Sequence, residues 1–193
     1  MHSEFYTYLR LGWQHIADYR AYDHILFVIA LCAMYLPSEW RRLLILVTAF
    51  TIGHSLTLAL SALNILVLPS KVIEFLIPVT ILITALLNYQ SSKNSSQIPI
   101  YKYFLPLIFG FIHGMGFSNY FKSLLGKEES VVKPLFAFNI GIEIGQLLIV
   151  FLFMAITYLF VNFFKIKHSK WSKLISGIIV LLALYLMWET KFW

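Results

Sequence analysis

The sequence predicts an all-α protein, a polytopic membrane helix bundle of about six transmembrane helices preceded by an N-terminal interfacial helix. Three observations carry that expectation. Of 193 residues, 60% are hydrophobic and only 12% are charged, against roughly 25% charged in an ordinary soluble domain. Several apolar runs approach the roughly 20 residues that cross a hydrocarbon core. The connections between them are short, polar and rich in lysine. This composition leaves no room for a soluble catalytic or nucleic-acid-binding domain, so residues 1–193 read as a single integral membrane domain. The net charge of +6 is then the mark of Lys and Arg beside anionic lipid, and no nucleic acid is expected as a partner. Cys32 is the single cysteine; a metal here must be held by nitrogen and oxygen.

The elements follow in chain order. Phe5, Leu9, Trp13 and Ile16 recur every three or four positions, which gives residues 3–20 the one apolar face of an interfacial helix. Glu4, Arg10, Asp18 and Arg20 interrupt this stretch, so it does not read as a cleavable signal peptide. The first crossing is placed at 22–36 and is closed by Pro37. Only Ile25 to Leu36 is continuously apolar, about 18 Å of helix against a core of about 30 Å. The helix must therefore extend backwards and take Asp23 and His24 into the membrane or its boundary; a pair at headgroup level stays open. The second crossing, 43–63, is followed by a turn between Asn64 and Pro69, and the third, 72–87, by the polar loop 91–97. Crossings at 104–121, 135–164 and 174–188 complete the set. Lys165, Lys167, Lys170 and Lys173 crowd one short loop, which tips that loop toward the cytoplasm and both termini away from it.

Inside these runs stand polar residues that a membrane tolerates only with partners. His54 lies near the centre of the second crossing, with Thr51 and Ser55 on its face; a hydrogen bond to a neighbouring helix would account for it as well as a ligand role would. His113 stands between Gly110 and Gly114, a spacing that lets another backbone approach closely. Asn139, Glu143 and Gln146 share a stripe of the fifth crossing, beside the small pair Gly141 and Gly145. No Lys or Arg lies within a neighbouring crossing to pair with Glu143, which leaves imidazoles or a metal as its partners. Glu74 stands near the start of the third crossing, close to Lys71. Alternation of six crossings then places Asp23, His24, His54, Glu74, His113, Asn139 and Glu143 in one leaflet, so a single polar cluster is expected. Three imidazoles and two carboxylates suit Zn, Ni, Co or Fe(II).

The segments LGWQHIADYRAYDHILFVIAL (11–31), TAFTIGHSLTLALSAL (48–63), FGFIHGMGF (109–117) and FNIGIEIGQL (138–147), with the Glu74 region, resemble the HupE/UreJ family of bacterial membrane proteins. Ala21 departs from the glycine usual in that family two residues before the aspartate. The resemblance implies nickel or cobalt permeation linked to hydrogenase and urease maturation, and a multi-pass place in the bacterial inner membrane. It reaches His15, Asp23, His24, His54, Ser55, Glu74, His113, Asn139, Glu143 and Gln146.

Together these readings predict a divalent metal permease for Zn, Ni or Co. His24, His54, His113, Asp23 and Glu143 are expected at the metal, supported by His15, Ser55, Glu74, Asn139 and Gln146. Two alternatives stay open. One is an intramembrane zinc-dependent hydrolase of a lipid or amide, with Asp23, Ser55 and Glu143 as its catalytic set. The other is a metal-sensing accessory protein. Lipid and the metal are the expected partners, and a homo-oligomer is left open.

Overall fold

The computed structural model describes residues 4–19, 22–66, 68–90, 101–125 and 130–193. Arg20, Ala21, the loop 91–97, Lys127 and the side chain of Lys102 lie outside the described residues. Among the described residues the secondary structure is helical throughout, with no strand. The helices are α1 (Glu4–Ala17), α2 (Asp23–Cys32), α3 (Trp40–Ala62), α4 (Ser70–Gln90), α5 (Tyr101–Leu125), α6 (Val132–Tyr158) and α7 (His168–Glu189). A short 3-10 turn, Pro37–Glu39, leads into α3, and a π turn, Leu159–Phe163, extends α6.

Local chemistry sets the boundaries. Pro37 cannot continue a helix from α2, and the Glu39 carboxylate accepts from the Leu36 N–H at 3.0 Å and pairs with Arg42. The chain leaves α3 through Asn64, at a left-handed φ of 60° that asparagine tolerates better than most residues.

Among the described residues, four helical stretches are long and apolar enough to cross a membrane: Pro37–Ala62, Ser70–Gln90, Val132–Phe163 and His168–Glu189. These match the crossings expected at 43–63, 72–87, 135–164 and 174–188. At 25 residues, or about 37 Å, α5 is long enough too, but its three glycines, His113, Ser118 and Asn119 dilute its apolar character. The expected crossing at 22–36 is corrected to a helix of ten residues, about 15 Å long, which cannot cross alone.

The interfacial helix expected over 3–20 is also corrected. α1 does not stand apart from the bundle; it packs lengthwise on α6 and runs in the same direction. Gly12 lies against the Phe138 carbonyl, Gly141 against the Leu9 carbonyl, and Gly145 against the Ile16 side chain. A Cβ on any of the three would collide with its neighbour, so these glycines are what lets the two backbones meet. Tyr8, Gly12 and Ile16 are buried there. An apolar face repeating every 3.6 residues looks the same whether it meets lipid or another helix, which is why the sequence pattern misled.

α2 takes over on α6 where α1 stops. Val28 and Cys32 join Val150, Phe153 and Met154 of α6 in one buried cluster. α1, which ends at Ala17, and α2, which begins at Asp23, thus follow one another along α6. The other close pairs are α3 with α5 and α4 with α7.

Side-chain contacts define the two ends of the bundle. At one end Lys122 Nζ donates to Asn64 Oδ1 at 2.8 Å, the Tyr8 hydroxyl donates to the Leu124 carbonyl at 3.2 Å, and Trp193 packs on Phe75. The start of α1 and the end of the chain after α7 are therefore at this end. At the other end Asn88 Nδ2 donates to the Ala30 carbonyl at 2.6 Å, and His168 Nε2 donates to the Tyr35 carbonyl at 3.1 Å.

Candidate metal centre

The interruption between α1 and α2 is where the imidazoles gather. His15 is in the last turn of α1, and Asp23 and His24 open α2. His54 enters from α3 and His113 from α5, two helices pressed together by glycine: Gly110 lies on the Phe50 carbonyl, and Gly114 on the His54 carbonyl and the Thr57 hydroxyl. The glycines flanking His113 thus fix its height against His54.

One donor atom each from His15, His24 and His54 lie within 4.8 Å of one another. The ring centres of His15 and His24 are 4.5 Å apart, those of His15 and His54 5.8 Å, and those of His24 and His113 5.4 Å. His54 is fully buried and His113 is 1% exposed.

The hydrogen bonds show which nitrogens are committed. Asp23 Oδ1 accepts from the backbone N–H of His24 at 2.9 Å and from its Nδ1 at 3.1 Å. That leaves His24 Nε2 buried without a partner. His113 Nδ1 donates to the Phe109 carbonyl at 2.9 Å, and its Nε2 is also unpartnered. His15 Nε2 and both nitrogens of His54 are buried and unpartnered as well. A buried polar atom left unsatisfied costs about 1–3 kcal/mol, so this concentration calls for a ligand. Neutral imidazoles offering lone pairs at one place suit a divalent transition metal, whose bonds to histidine nitrogen are about 2.0–2.1 Å in the case of zinc.

A cavity of about 480 Å³ opens beside the group. His15, His24 and His113 line it together with Asp18, Asp23 and Glu74, and among the described residues no lysine or arginine lines it. A cleft lined by one sign of charge concentrates the opposite ion.

The structure re-sorts the expected site residues. His24 and His54 are in the three-donor group. His15, expected in support, is in it too: it precedes the apolar run and looked peripheral, and only the docking of α1 on α6 carries it inward. His113 lies outside the three-donor group but against it. Asp23 holds His24, and Glu74 lines the cavity. Glu143, expected at the metal, is not in the three-donor group: its Oε1 accepts from the exposed Thr48 at 2.7 Å between α3 and α6. Gln146, one turn on, faces inward and accepts from Thr51 at 2.8 Å; a stripe at i, i+4 and i+7 fans around the helix, and the two side chains leave it in different directions. Asn139 Oδ1 is buried without a partner. The Ser55 hydroxyl donates to the Thr51 carbonyl of its own helix at 2.6 Å. Asp23, Ser55 and Glu143, the expected catalytic set, therefore bond to different partners, His24, Thr51 and Thr48.

Long apolar helices around a buried, open-sided group of imidazoles define a helical membrane protein able to hold a metal ion. The chain belongs to the HupE/UreJ family: the family model described as HupE / UreJ protein matches residues 1–191. No curated protein and no solved structure matches it.

Proposed function

We propose that this chain is a permease for a divalent transition metal, with Ni, Co or Zn as the transported substrate. The single observation that carries the reading is the set of unpartnered imidazole nitrogens on His15, His24, His54 and His113, at the place where one helix stops and the next begins. Transporters bind their cargo at interrupted helices because the irregular backbone is tolerated only where it lines a cavity. In this reading α1 and α2 together make one crossing, since fourteen and ten residues give about 36 Å of helix between them. With α3 to α7 that makes six crossings, both termini on one side, in the bacterial inner membrane. The site then lies in the leaflet of the termini, and the carboxylates Asp18, Asp23 and Glu74 draw the cation to it. The hydrolase reading loses support from the dispersal of Asp23, Ser55 and Glu143.

Proteoliposomes with an entrapped metal-sensitive dye test the proposal. Uptake of Ni²⁺, Co²⁺ or Zn²⁺ by the wild type, lost in His54→Ala, is the expected result. Tight metal binding without flux in sealed vesicles would overturn transport in favour of sensing or storage.

A further inference from the structure

Three phenylalanines form a floor directly beneath the imidazoles. Phe27 follows His24 by three residues on α2, and Phe50 and Phe109 precede His54 and His113 by four on α3 and α5. Because α2 leaves the site toward the far end while α3 and α5 approach from there, each ring lands one turn below its histidine on the same axis. Phe27 packs on Phe50 at 4.8 Å and on Phe109 at 6.0 Å between ring centres. Phe27 and Phe50 are fully buried and Phe109 nearly so.

A second, smaller cavity of about 30 Å³ lies beyond the floor, roughly the room a single water needs. Its walls include Leu31, Leu46 and Leu105, one further turn along α2, α3 and α5, with Thr84 and Asn88 of α4 adding polar groups. The three helices therefore carry successive layers of histidine, phenylalanine and leucine, the histidine layer bordering the larger cavity and the leucine layer the smaller one. His113 ties the upper layers together: its ring contacts Phe27 and Phe50, each at 5.1 Å, and its Nδ1 donates to the Phe109 carbonyl.

Resting on the permease reading, we propose that Phe27, Phe50 and Phe109 are the gate of the permeation route and that the small cavity is the next station of the cation. An apolar ring closes a path to a hydrated ion until its side chains turn aside. Because His113 contacts the rings of Phe27 and Phe50 and bonds the Phe109 backbone, yet stands outside the three-donor group, drawing its free Nε2 onto the metal shifts the gate, and cargo binding is transmitted to the barrier.

The test uses the full chain in proteoliposomes, with Ni²⁺ as the probe, and equilibrium Ni²⁺ binding measured in parallel. Phe50→Ala and Phe109→Ala are expected to bind Ni²⁺ as the wild type does and to pass it several-fold faster. Should either variant lose binding through misfolding, Phe50→Leu with Leu105→Cys in a Cys32→Ser background gives a second measurement. A membrane-impermeant thiol reagent supplied from the side of the termini is expected to label position 105 slowly with Phe50 present and several-fold faster with leucine there. Wild-type transport with unaltered flux and labelling in the variants would overturn the gate alone. No wild-type flux overturns the permease reading and the gate together.

Discussion

A single oxygen of Asp23 holds His24 twice, accepting from its backbone N–H at 2.9 Å and from its Nδ1 at 3.1 Å. This holds the ring through Nδ1 and leaves Nε2 as its free nitrogen. Carboxylates beside metal-binding histidines commonly act this way, and losing one typically weakens metal affinity by about 10–100-fold. Asp23→Ala is expected to lose affinity in that range, and Asp23→Asn, which keeps a neutral acceptor, to lose less. Competition with a chelating indicator measures both; equal affinity in Asp23→Ala and wild type would refute the orienting role.

The imidazoles also make a stability prediction. A ligand that binds only the folded state at 100 times its Kd adds about 2.7 kcal/mol. Added Ni²⁺ or Zn²⁺ should raise the thermal midpoint of the detergent-solubilised wild type, and EDTA should reverse the shift. His15→Ala and His54→Ala are expected to lose the response, and a full response in His15→Ala would return that residue to a supporting place.

For Glu143 the expectation is an absence of effect at the site. Glu143→Gln keeps an oxygen for the Thr48 hydroxyl and removes a charge from the contact between α3 and α6. Metal affinity is expected to match the wild type in an equilibrium titration, and a clear loss would bring Glu143 back to the metal.

Gly114 couples packing to the site. A side chain there collides with the His54 carbonyl and the Thr57 hydroxyl, so Gly114→Val should push α3 from α5 and cost about 1–3 kcal/mol as overpacking. Unfolding midpoint and Ni²⁺ affinity are expected to fall together; a fall in stability alone would uncouple the glycine from the imidazoles.

Much of this was written in the residues themselves. Pro37, Asn64 and Pro69 mark breaks that the helices respect, and the small pairs Gly110 with Gly114 and Gly141 with Gly145 do mark close helix contacts. What could not be read was the partner of each face. The period of Phe5, Leu9, Trp13 and Ile16 is blind to whether lipid or α6 covers it, and that one ambiguity hid the place of His15. The direction of Glu143 was hidden for a related reason: sharing a stripe with Gln146 sets the general side of a helix, while three residues fall about 60° short of a full turn, which sends Gln146 to the buried Thr51 and Glu143 to the exposed Thr48. The phenylalanine floor was hidden by its ordinariness, since apolar residues one turn from each histidine acquire meaning only when three helices bring them to one level.

The interruption between α1 and α2 has an electrostatic consequence. Each helix end carries about half an elementary charge from its aligned peptide dipoles, negative at the carboxyl end and positive at the amino end. α1 presents its carboxyl end at His15, with last-turn carbonyls that have no partner within the helix. α2 presents its amino end, and there Asp23 stands at the first position and offsets the positive pole. The backbone therefore adds a negative pole to the imidazoles while its opposite pole is masked, so a phosphate or other anion, which helix amino ends ordinarily attract, meets an unfavourable field where a cation meets a welcome one.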